Sequence, residues 1–240
     1  MKLSFGAVLR DAAALWNRER DLLLRVAGVF FFLPALGFGL LLTEAPAGEP
    51  GSPEEIQQQF LTLLQANLPW ILGSTLVQEF GLAIVFLLFL APGRPSIHEA
   101  MLRALRIFPG FLVTGIICGV IVMTGSLLFI LPGLYAQGRT LLCSAAYAAN
   151  PAKGPIDAVE KGIRLTTGMG WMFFGLWALV FLVSYLGSAI VNGLGDPLIA
   201  AAGGSAIVDM AVRMIEAGVG AAAVLMLGLI RIAAYRRLTA

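Results

Sequence analysis

Two ionisable residues, Glu79 and Arg139, stand inside long apolar stretches of this 240-residue chain. A charge at membrane depth is costly unless paired, and such groups mark binding sites, ion paths or proton relays. Helical rise places the two Cα atoms about 6 Å apart in depth, within reach of an arginine side chain. The spacing therefore predicts an Arg139–Glu79 pair inside a helical bundle, with Tyr135 and Gln137 beside it. Such a pair is either a relay or headgroup-binding site, or a structural ion pair. A third reading has Arg139 reaching alone for the outer interface. Gln78, Thr114, Thr124 and Ser126 either line the same interior or bond helix to helix.

Other chemistry is sparse. The single histidine, His98, argues against a His-based metal site or a Ser-His-Asp triad. Cys118 and Cys143 both fall in apolar runs, where a thiol behaves as a small hydrophobe, so no disulfide is expected. No nucleophile–base set is recognisable, so a non-enzymatic protein without cofactor or metal is expected. Asp209, Arg213 and Glu216 read as the solvated start of a helix.

The elements that carry these residues follow from composition. The chain is 59% hydrophobic and 12% charged, whereas soluble domains run near a quarter charged. A soluble core of this size could not hide so much apolar side chain, but lipid can. The expected fold is all-α and integral to a membrane, one polytopic domain over residues 1–240. Six transmembrane helices are predicted at about 26–42, 68–91, 109–131, 134–149, 168–191 and 214–235. Ala45-Pro46-Ala47 imitates a signal-peptidase site, but the charged stretch before it is too long, so an uncleaved first span is expected.

Three short amphipathic helices, 4–18, 96–108 and 156–167, are expected to lie in the cytosolic interface. In the first, Phe5, Val8, Leu9, Ala12 and Trp16 share a face. In the third, Asp157–Lys161 and Glu160–Arg164 are spaced as i,i+4 ion pairs. Ser52, Pro53 and Glu55 read as a capped helix start. Pro132-Gly133 reads as a turn between the third and fourth spans, and Asn192–Gly204 as a loop. Laying Ala100 on Ala158 also brings Arg103 onto Lys161, Ala104 onto Gly162 and Gly110 onto Gly168. This suggests a repeated unit of interfacial helix plus helical hairpin. Gly115-Ile116-Ile117-Cys118-Gly119 permits close helix approach.

Charge sets the orientation. Lys2, Arg10, Arg18, Arg20 and Arg25 precede the first span. Arg94, Arg103 and Arg106 follow the second, Lys153, Lys161 and Arg164 the fourth, and Arg231, Arg236 and Arg237 the sixth. The other side carries Arg213 alone. Positive charge in short loops stays in the cytoplasm, so both termini are expected there, in a bacterial inner membrane. The expected partners are membrane lipids, with anionic headgroups at the cytosolic face, and a second copy or another membrane protein. No nucleic-acid partner is expected.

Pro132-Gly133-Leu134-Tyr135…Arg139 is followed by Gly154-Pro155-Ile156-Asp157-Ala158…Arg164-Leu165-Thr166…Gly168…Trp171…Phe174-Gly175. This pattern resembles the membrane domain attached to some bacterial glycerophosphodiester phosphodiesterases, and the YciC-like inner-membrane proteins. Gly162 and Ile163 depart from it where those families often have Ser or Trp. The resemblance implies a six-helix membrane domain. It carries over no phosphodiesterase chemistry, because the soluble catalytic barrel is absent and one histidine cannot supply its site. The expected function is handling or organising lipid in the cell envelope, the alternative a small-molecule or ion transporter or channel.

Overall fold

Apolar runs this long leave the backbone one way to satisfy its own polar groups, which is to hydrogen-bond within helices. A computed structural model describes residues 3–42, 53–93 and 95–239, and among them every regular element is helical. They are α1 (Phe5–Ala27), α2 (Leu33–Leu42), α3 (Pro53–Leu90), α4 (Ile97–Leu128), α5 (Ile130–Thr140), α6 (Cys143–Ala149), α7 (Gly154–Leu165), α8 (Gly170–Ala201) and α9 (Ala206–Thr239). Five stretches are long and apolar enough to cross a membrane: Phe5–Leu40, Gln65–Leu90, α4, α8 and α9.

Several expected boundaries dissolve into continuous helix. The N-terminal amphipathic segment does not stop at residue 18. It bends at Glu19, whose backbone leaves the helical region (φ −125°, ψ 23°), and runs on to Ala27. A π-helical turn, Gly28–Phe32, then joins α1 to α2, with the Leu33 amide bonded to the Gly28 carbonyl. The second amphipathic segment is equally continuous with the third apolar run. Ser96 and Glu99 close a reciprocal capping box at its start, and Pro109 sits inside the helix. A proline removes one donor and bends a helix, but with apolar surroundings on both sides the helix is still the cheapest conformation. α8 likewise passes Pro197, which follows Asp196, and ends only at Ala201, so most of the expected loop 192–204 is helix. Only α7 remains a separate short amphipathic helix. The expected cap at Ser52 lies outside the described residues, and α3 opens on Pro53.

Pro132-Gly133 is not the turn. The chain reverses at Phe129, which is extended (φ −164°, ψ 156°), and Pro132 falls in the first turn of α5, where its missing N–H has no helical partner to lose. Gly133 instead lets the hairpin close. A Cβ there would run into Ser126, and one on Gly125 would stand 3.1 Å from the Pro132 carbonyl oxygen. The expected fourth span is a broken return. α5 ends at Thr140, Leu141 and Leu142 form a turn, and the seven-residue α6 continues. The return lies antiparallel to α4, with Gly133 against Ser126 at one end and Gly110 against the Tyr147 ring at the other.

The core gathers at one end of the bundle. Every residue of Leu82–Phe89 in α3 is buried, as is Leu229–Tyr235 of α9 apart from the half-buried Arg231. Phe86, Phe111 and Tyr147 link α3, α4 and α6 through tilted rings with centres 6.0 and 6.4 Å apart. Half of the apolar stretch of α9 is buried within the protein against 6% of that of α8, so α9 is central and α8 peripheral. The matched positions of the suspected repeat share a face. Ala100 and Ala104 are buried on α4, as are Ala158 and Gly162 on α7.

Candidate functional site

Among the described residues no ion pair or hydrogen bond joins Arg139 to Glu79. The sequence put both in the interior, but their helices turn them different ways. Arg139, in the last turn of α5, reaches the C-terminal end of α7. Its Nη2 donates to the Ile163 carbonyl oxygen (2.8 Å) and to Thr167 Oγ1 (3.2 Å). The last carbonyls of a helix lack intrahelical donors and carry the negative end of its dipole, so a cation there is favourable. Thr166, fully buried, donates its hydroxyl to the Arg139 carbonyl oxygen (2.8 Å). The guanidinium also lies 5.9 Å from the centre of the Tyr135 ring, which packs on Trp171. Arg139 and Tyr135 thus fasten α5 to α7 and α8.

Glu79 and Gln137 go elsewhere. They line a cavity of about 370 Å³ between α3, α4, the α5–α6 return and α9. Across it stands Arg231, which the charge pattern places at the cytosolic flank. Its side chain is half-buried, and its Nε is sealed from solvent with no hydrogen-bond partner. Glu79, also half-buried, has no hydrogen bond to the protein among the described residues. The two charges share the cavity, but no ion pair closes between them.

Backbone register explains the spacing. Gly228 of α9 lies against Leu82 of α3, and Arg236 donates to the Phe89 carbonyl. The two helices therefore run in the same direction. Glu79 lies before Leu82 and Arg231 after Gly228, which separates their Cα atoms by roughly 8 Å along the bundle axis. Opposite them, Gly115 and Gly119 line the cavity, and a Cβ on either would meet nothing within 4 Å. The GxxxG spacing serves open space here rather than helix contact. Gln137 and Ser144 add polar groups from the α5–α6 wall. Arg231 was legible in part, since apolar residues flank it on both sides, but the basic pair Arg236-Arg237 drew it into the terminal charge count.

Comparison with known proteins finds no matching family, no matching curated protein and no matching solved structure.

A second cavity of about 440 Å³ lies on the Gln78 side of α3, between α2, α8 and α9. Arg213 and Asp209 are held there by two contacts of 2.9 Å, and Arg213 Nη1 donates to the Gly39 carbonyl (3.0 Å). Arg213 is thus a brace between α9 and α2 rather than part of a solvated helix start. At the chain's C-terminal end, Arg237 pairs with Asp11 through Nη2 and Oδ1 (2.9 Å) and a second, shorter contact. Glu160 and Arg164 form the expected i,i+4 pair at 3.6 Å. Lys161 does not turn to Asp157. It donates to the Tyr235 hydroxyl at 2.6 Å, which fastens α7 to α9.

Proposed function

We propose that this chain is a non-enzymatic multi-pass protein of the bacterial inner membrane that takes the polar headgroup of a membrane lipid into the cavity between α3, α4, α5 and α9. The carrying observation is that Arg231 and Glu79 both line this cavity, with Gln137, and that neither has a hydrogen-bond partner among the described residues. A guanidinium offers five donors, and leaving a buried one unmade is costly, so the site favours a guest that brings acceptors. The five long apolar helices support membrane residence. The clustering of Arg236, Arg237 and Lys161 at one end supports placing both termini in the cytoplasm. With α5–α6 as a sixth, broken pass, this topology closes.

Protein purified in mild detergent should carry phospholipid detectable by native mass spectrometry. The lipid should be lost from Arg231→Ala and from Gly119→Leu, which fills the cavity without touching a charge. Equal lipid in all three proteins overturns the reading.

A second reading, passage of a small polar solute, draws on the two cavities that flank α3 at the adjacent residues Gln78 and Glu79. Solute-dependent flux in proteoliposomes, abolished by Glu79→Gln, would favour it over lipid binding.

A further inference from the structure

A cavity with one sign of charge recruits the other sign. This one presents both, and holds them apart. Resting on the reading that the cavity takes a headgroup, we propose that its ligand is zwitterionic, with a phosphate held by Arg231 and a primary ammonium held by Glu79.

Three observations carry this. First, Arg231 and Glu79 are the only charged residues among the described lining, so the site as a whole is neutral. An anion alone would meet Glu79, and a cation alone would meet Arg231. A ligand bearing both charges leaves neither uncompensated, which matters most where the local dielectric is low. Second, the two side chains are offset along the bundle axis by their register, and neither has closed on the other. A guest with separated charges can bridge them. Arg231 suits phosphate, because its planar fork matches two phosphate oxygens at once, and Gln137 and Ser144 stand on the same walls. Third, no aromatic side chain lines the cavity among the described residues. Quaternary ammonium groups, which cannot donate hydrogen bonds, are recognised by aromatic rings. A carboxylate without rings selects a primary amine, which can donate to it. The chemistry is that of phosphoethanolamine, whether on a diacyl lipid or free in water.

The wall contains its own reporter. Cys118 lines the cavity, whereas Cys143 is fully buried. Full-length protein is placed in nanodiscs of phosphatidylcholine alone, or with phosphatidylethanolamine or phosphatidylglycerol added. Alkylation of Cys118 by a membrane-permeant maleimide is then followed by peptide mass spectrometry. Phosphatidylethanolamine should slow labelling on the order of tenfold relative to the other two compositions, the effect of about one charge-assisted hydrogen bond. Glu79→Gln, which keeps the side chain's shape, should abolish that preference and let phosphatidylglycerol protect. Arg231→Ala should remove all protection.

Soluble O-phosphoethanolamine that protects in pure phosphatidylcholine discs as well as the lipid does would support the zwitterion and identify the free molecule as its source. Arg231-dependent protection that is equal for phosphatidylglycerol and untouched by Glu79→Gln overturns the zwitterion while leaving headgroup binding intact. Absence of protection by any composition, together with no co-purified lipid, overturns both.

Discussion

Thr166 and Arg139 hold each other from opposite sides. The threonine hydroxyl donates to the arginine's backbone carbonyl at 2.8 Å, and the arginine's guanidinium donates to Ile163 in the helix that Thr166 closes. The clasp joins α5 to the C-terminal end of α7, just before the chain turns into α8 at Gly168 (φ 76°). Removing the guanidinium takes the charged donor from the Ile163 carbonyl and leaves it the neutral Thr167 hydroxyl. Arg139→Ala should therefore cost about 1.5–3 kcal/mol, the range for hydrogen bonds to charged groups. Arg139→Lys should recover part of it. Unfolding midpoints in detergent will show the order wild type, lysine, alanine. Lipid retention in the folded alanine variant should be unchanged, because Arg139 lies outside the cavity lining.

Glycines in this chain divide into those that are contacts and those that are space. A Cβ on Gly138 would stand 2.7 Å from the Phe174 amide nitrogen and closer still to the Gly170 carbonyl oxygen. Both are backbone, which cannot swing aside. Gly138→Ala should push α5 off α8 and lose about 1–3 kcal/mol to overpacking. Gly119→Ala meets nothing and should gain up to about 1 kcal/mol from helix propensity. The two variants, compared by thermal stability in the same detergent, should shift in opposite directions.

Lys161 donates to the Tyr235 hydroxyl at 2.6 Å and lies 5.0 Å from the centre of that ring. Tyr235→Phe keeps the ring and deletes the hydroxyl. It should cost about 0.5–1.5 kcal/mol as one hydrogen bond lost, and Lys161→Met should add little further loss in the double variant. Additive losses in the double-variant cycle would show that the contact is not energetically coupled.

Orientation is testable without knowing the ligand. With Cys118 and Cys143 replaced by alanine, single cysteines are placed at Lys153, before α7, and at Ser205, between α8 and α9. An impermeant maleimide applied to whole cells should reach the second and not the first. The opposite pattern would invert the topology.

The class of fold was legible because long apolar runs leave the backbone no alternative to helix. The breaks were harder to read. Proline and glycine stop helices in water, where the chain can turn and solvate its amides. Pro109 and Pro197 stop nothing here, and α4 and α8 run through them. The real break after Thr140 carries neither residue. Leu141 and Leu142 turn in place, fully packed by neighbouring helices, and that is a tertiary effect with no local signal. The polar site was half legible. Glu79 and Gln137 were singled out, and both line the cavity. The expected Arg139–Glu79 contact does not form, because depth alone cannot say which way a helix face points. Arg139 and Arg231 are both arginines bounded by apolar residues, and only the packing of α7 against α5 takes the first away from Glu79.

The π-helical turn at Gly28–Phe32 has a consequence for how this chain tolerates changes of length. A π turn accommodates one residue more than an α turn. The surplus residue is absorbed within that turn, so removing one residue within 28–32 restores a plain α turn and leaves α2 nearly in its present phase. Removing one residue after the turn, between Leu33 and Gly39, instead rotates Gly39 by one step, about 100°, and its carbonyl would swing away from Arg213. The wide turn is a place where the N-terminal helix can lose a residue and keep the face that α2 presents to the bundle.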